Sequence, residues 1–163
     1  ERFLQYGLII GILALLGVSG KVAYKYQDWK VAAPMIGSSL SEVYILLGTA
    51  AFLGYPIDLA VIGGFVAVIG TGVDDLIIVA NEVLSKAEVK SNYAFEKRYD
   101  TAFWVIGAAA LTTIISLTPL VVLSLGSLSG FAIFTILGIL VGVFITRPAY
   151  GKTLQYLIVK ENQ

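Results

Sequence analysis

The stretch "IGGFVAVIGTGVDDLIIVANEVL", residues 62–84, decides the fold. It is apolar almost throughout, yet Asp74 and Asp75 stand side by side inside it, with no Lys, Arg or His within ten residues of either. A hydrocarbon core of about 30 Å takes about 20 helical residues to cross, so this run is long enough to span a membrane. A charged carboxylate near the middle of such a helix costs roughly 2.5–3.5 kcal/mol on insertion scales. Two neighbouring ones also repel each other. The pair therefore calls for a proton or for a cation brought from elsewhere.

The rest of the chain has the same character. Of 163 residues, 58% are hydrophobic and 13% charged, about half the charged share usual in soluble domains. Further apolar runs flank the first, predicting an all-α membrane protein of five transmembrane helices at about 3–20, 31–53, 57–84, 101–123 and 129–147. An amphipathic tail is expected at about 148–160, and residues 1–163 read as a single transmembrane domain. There is no Cys and no His, so a disulfide framework, a thiolate metal site and the usual neutral-pH base are all excluded. With no phosphate loop or nucleophile–base pair evident, the chain does not read as an enzyme, and it calls for no cofactor or metal. A formal charge of zero gives no support to a nucleic-acid partner.

The basic residues set an orientation. Lys21, Lys25, Lys30, Lys86, Lys90, Lys97, Arg98, Arg147, Lys152 and Lys160 fall on one side of the expected spans, and only Arg2 falls on the other. The positive-inside rule makes the first side cytoplasmic, with the C-terminus inside and the start of the chain outside. An outside start without a signal peptide is expected of a longer chain, with at least one earlier span and an extracytoplasmic domain before Glu1. Arg147, in "TRPAYG" at 146–151, reads as an interfacial anchor at the cytoplasmic exit.

At helical spacing Gly63, Ala67, Gly70 and Asp74 share one lane. Small residues let a neighbouring backbone approach closely in lipid. Asp74 is therefore expected to face a packed helix interface, and Asp75, about 100° away, to follow Gly64, Val68 and Thr71. No cation of the chain is expected at matching depth. Asp74 is the leading candidate for a proton relay, and Asp75 is either a second member or a polar neighbour. Glu42, in "IGSSLSEVYILLG", lies within the second run, bonded to Ser38 or Ser41 or acting in the relay. Thr112 and Thr113, in "GAAALTTIISLTP", either bond their own helix carbonyls or donate to the aspartates. Gly138 and Gly142 form a GxxxG packing signal in the last run.

"IGTGVDDLIIVANEVL" resembles the fourth transmembrane segment of the RND superfamily, and most closely that of archaeal-type SecD, a membrane subunit of the SecD–SecF protein-export complex. "ALTTIISLTPLVVLSLGSLSGFAIFTILGILVGVFITRPAYGKTL" is similar to the last two spans of that family. "PMIGSSLSEVYILLGTAAFLGYPIDLAVIGG" is similar to the preceding hairpin. The likeness runs over residues 5–158. One departure stands out, since bacterial SecD carries a single Asp followed by Ala-Asn where this chain has Asp74 and Asp75.

The resemblance implies an RND-type half-transporter bundle, of which the first of six spans and the large outer domain lie outside this chain. Asp74 matches the proton-relay aspartate by position. The implied function is auxiliary: coupling proton movement to late steps of preprotein translocation. The implied partners are a homologous SecF-like subunit, the Sec translocon channel, the preprotein through the outer domain, and membrane lipid. The alternative is half of an RND-type proton-coupled exporter of small molecules or lipids.

Overall fold

The computed structural model describes residues 29–84, 92–124 and 126–159, together with residues 9, 13, 14, 16, 17, 20–22 and 24–26. The described residues fold into helices: α1 (Trp29–Leu53), α2 (Leu59–Leu84), α3 (Asn92–Val122), α4 (Ser127–Val141), a π-helical turn (Gly142–Thr146) and α5 (Arg147–Val159). No strand occurs among them. Among the described residues, four helical stretches are long and apolar enough to cross a membrane: Trp29–Leu53, Leu59–Leu84, Tyr93–Val122 and Ser127–Ile158. The protein is an all-α, multi-pass membrane protein. Most of the expected first span lies outside the described residues, and those of its positions that are described, such as Leu13, Leu16 and Gly17, are helical.

The helices end where local chemistry ends them. Gly54 closes α1 in the left-handed region, with φ 61°. A side chain is strained there and glycine is not. The amide of Tyr55 then donates to the carbonyl of Ala50 at 3.0 Å. Asp58 accepts from the amide of Val61 at 2.9 Å and so caps the start of α2. The turn between α3 and α4 uses positive φ at Ser124 and Gly126.

Two boundaries differ from the sequence reading. α3 begins at Asn92 rather than near 101, because the polar stretch before the apolar run is itself helical. The expected tail is not separate either: the last span runs from Ser127 to Ile158 through the π-turn. Pro148 explains the turn. It has no N–H to give, and its ring crowds the carbonyl four residues back. The amide of Arg147 instead reaches the carbonyl of Gly142, a five-residue step.

That turn also keeps one lane of the helix inward. Phe134, Gly138, Gly142, Thr146, Tyr150 and Leu154 are all buried. At about 100° per residue, each step of four overshoots by about 40°, so five steps in a regular α-helix would drift about 200°. One extra residue in a turn takes back about 100° of this.

The core has two parts around the central helix α2, which packs most extensively on α4. One cluster gathers Leu46, Ala50, Val61, Phe65, Val68 and Phe134. Phe134 meets Tyr55 and Phe65 edge to face, with ring centroids 5.2 and 5.5 Å apart. The other gathers Val31, Met35, Val73, Leu76, Val83, Phe95, Ile106, Tyr150 and Leu154 among others. Most of α3 faces outward. Among the described residues, the buried polar ones lie on α1 and on the last span: Ser39 and Glu42 on the first, Thr135, Thr146 and Arg147 on the second.

Candidate functional site

The site begins with the two carboxylates of α2. They sit ten and nine residues before Leu84, about 15 Å along the helix axis at 1.5 Å per residue. Their faces are the reverse of the expected ones. The lane that carries Asp75 is the packed one: a Cβ added at Gly64 would come within 3.0 Å of the Phe131 carbonyl, and Val68 lies against Gly138. The lane that carries Asp74 turns outward. Gly63 makes only an ordinary contact with Phe131, Ala67 is half-buried, and a Cβ on Gly70 would meet no described atom within 4 Å. The Asp74 side chain is accordingly 67% exposed among the described residues.

Asp75 is held by Arg147. The guanidinium Nε donates to Asp75 Oδ2 at 2.9 Å, and Nη2 stands 2.7 Å from the same oxygen. Arg147 is 1% exposed, and its Nη1 lies 3.6 Å from Oε1 of Glu42, which is equally buried. Neither Nη1 nor Oε1 has a hydrogen-bond partner among the described residues. The hydroxyl of Ser41 donates to the carbonyl of Gly37, at 2.8 Å, rather than to Glu42. Two glycines make room for this cluster. A Cβ on Gly72 would stand 2.7 Å from Glu42 Oε2, and one on Gly142 would run into Arg147 Nη1 and Glu42 Oε1.

The expected isolation of the carboxylates is therefore overturned. Arg147 is no interfacial anchor: the π-turn and the continuing helix fold it back into the bundle. A second cation reaches Asp74 as well, for Lys21 Nζ lies 3.4 Å from Asp74 Oδ1. Tyr26, five residues on, donates to Asn81 Oδ1 at 3.0 Å. The helical residues 20–22 and 24–26 thus run alongside α2 in the same direction, and Lys21 belongs beside the carboxylates rather than in the connection beyond them.

The threonines stand apart from the carboxylates. Thr112 and Thr113 donate to the carbonyls of Ala108 and Ala109, each at 2.9 Å, and not to Asp74 or Asp75. At the Leu84 end, Tyr99 on α3 donates to the carbonyl of Arg147 at 3.2 Å. Arg98 donates to the carbonyl of Val83, also at 3.2 Å. These contacts tie α3 to α2 and to the turn that aims Arg147. Among the described residues no cluster of three or more carboxylates is arranged to hold a metal ion.

Comparison with known proteins places the bundle. The family described as "Protein export membrane protein SecD/SecF, C-terminal" matches residues 1–147. The chain is 61% identical to a protein-export membrane protein SecD of Haloferax volcanii over 161 residues, which cover 99% of this chain and 31% of that protein. It is 38% identical to SecD of Methanocaldococcus jannaschii over 160 residues, covering 98% of this chain and 39% of the other. A protein translocase subunit SecF of Pseudomonas aeruginosa is 27% identical over 150 residues, covering 88% of this chain and 48% of the other. The chain spans between 31% and 39% of the length of these two SecD relatives.

Proposed function

The chain belongs to the SecD/SecF family of protein-export membrane proteins, and from that premise we propose that it is the transmembrane part of an auxiliary export subunit driven by protons. In this reading Asp74 takes up and releases a proton on the flank of the bundle, where a homologous SecF-like subunit packs against it. Asp75 and Glu42 support it from inside. Thr112 and Thr113 line the neighbouring helix and act only if the helices shift. The Sec channel and the moving preprotein are met through parts of the protein beyond this chain. The Lys-rich and Arg-rich ends of the helices face the cytoplasm, and the turns at Gly54 and Gly126 face outward.

The observation that carries the proposal is Asp74 itself. It sits well inside a 26-residue apolar helix, and its side chain points out of the bundle toward Lys21. An exposed ion pair holds weakly in water, about 0–1 kcal/mol. In an apolar setting the same carboxylate is costly unless paired or protonated. Its state therefore depends on what packs beside it. A site whose charge preference changes with helix packing is what coupling requires, since a proton then favours one packing over another. A proton crossing 100 mV supplies about 2.3 kcal/mol, enough to shift a two-state arrangement about fifty-fold.

The test is Asp74→Asn in the full-length subunit with its partner. Export stimulated by the proton gradient should be lost while the complex still assembles. Undiminished gradient-dependent export in that variant would reject the proposal.

A further inference from the structure

Behind Asp74 the bundle holds a second charged site, and its role rests on the proton-driven reading above. Arg147 meets two buried carboxylates unequally. Two of its nitrogens bond Asp75 Oδ2, at 2.7 and 2.9 Å. The third stands 3.6 Å from Glu42 Oε1 without a hydrogen bond. One cation thus faces two acids, and with both acids ionised the cluster carries a surplus negative charge.

The groups around Glu42 do not remove that surplus. From α2 come Asp75 and, turned away from the cluster, Asp74 with Lys21 beside it. On α1 itself, the hydroxyl of Ser39 donates to the carbonyl of Met35. From the π-turn, the hydroxyl of Thr146 donates to the carbonyl of Gly142. From α3, Tyr99 is committed to the carbonyl of Arg147. Beyond Arg147, α5 offers Tyr150, which is buried and neutral. A surplus charge inside a membrane bundle is removed most cheaply by a proton, and the proton goes to the carboxylate with the weaker partner. Gly72 and Gly142 wall the Glu42 carboxyl without side chains, and the room this leaves is taken by the carboxyl and by Arg147.

We infer that Arg147 is the positioning residue of this buried pair of acids: it fixes Asp75 as a permanent counter-charge and leaves Glu42 as a second proton-binding site. Binding adds one proton to the Glu42 carboxylate, and the cluster passes from one net negative charge to none. The two adjacent aspartates then have different work. Asp75 stays ionised against Arg147, and Asp74 answers to the surface of the bundle.

Infrared difference spectroscopy against pH, on the full-length protein with its partner subunit in liposomes, tests this. One carboxylic-acid band of the wild type should be missing from E42Q and present in D74N. R147Q should move that band to higher pH, about tenfold or more in proton affinity, because the opposing cation is gone. R147K should restore most of the wild-type position. If E42Q does not accumulate, E42D must shift the frequency of the same band. A wild type with no such band, a band that disappears with Asp74 instead, or a titration indifferent to R147Q would overturn the inference. Loss of the export reading is a separate outcome: gradient-dependent export that survives D74N ends that reading and leaves the Glu42 band where it is.

Discussion

Arg147 and Asp75 lie 72 residues apart in the chain, and their contact is a buried place, among the described residues, where a single side chain decides a local charge balance. Removing one partner of a buried pair leaves the other uncompensated, at a cost of about 3–5 kcal/mol. Arg147→Met should therefore lower unfolding stability by about that amount in a detergent titration. The double variant D75N/R147M should be markedly more stable than the sum of its single changes. Additive losses would mean that the two groups do not interact as described. The roles of these residues were only partly legible in the sequence. Asp74 and Asp75 announced themselves by being charged in an apolar run. Which of them faces inward depended on the neighbour: Gly63, Ala67 and Gly70 form a small-residue lane no less than Gly64 and Gly72 do, and the difference lies in where α4 presses. Arg147 was misjudged because it stands where an apolar run stops, and nothing short of the π-turn says that it folds back.

Among the elements, the close approaches gather where α1, α2 and the last span meet. Gly72 and Gly142 stand against the Glu42 and Arg147 side chains, and Gly138 against Val68. A methyl group at such a position forces the packing apart, at about 1–3 kcal/mol in a well-packed core. Gly138→Ala and Gly142→Ala should each reduce thermal stability by an amount in that range. Gly70→Ala should leave it unchanged or slightly raised, because nothing described lies within 4 Å of the added carbon. Equal effects at positions 70 and 138 would show that α2 presents the other lane to its neighbour. Among the described residues, four long apolar helices fall on runs that the sequence shows. The long lead-in of α3 was readable only faintly as an amphipathic helix, because its apolar positions are few, yet Tyr93–Asp100 folds against the second core cluster through Phe95.

For the molecule as a whole, the bundle presents two chemically different ends. Tyr55, Asp58, Ser124 and Gly126 gather around tight turns at one end, and Arg98, Lys152 and Tyr156 mark the other. The natural absence of cysteine makes this distribution easy to map. Single cysteines at Ser124 or Ser127 should react with an impermeant maleimide added outside intact cells. A cysteine at the exposed Tyr156 should react only after the membrane is opened. The opposite pattern would invert the proposed orientation. The turn at Gly142–Thr146 has a consequence on the same scale. A helix with one surplus residue is a screw with a slipped thread, and all that follows Arg147 is dialled about a quarter-turn from where a regular thread would leave it. Deleting one residue from the turn would barely shorten the rod. It would restore the regular thread and leave the edge bearing Tyr150, Gly151 and Leu154 on Phe95 and Tyr99. One more residue wound in as regular helix would instead swing that edge away and loosen the foot of the bundle while its head stayed clasped.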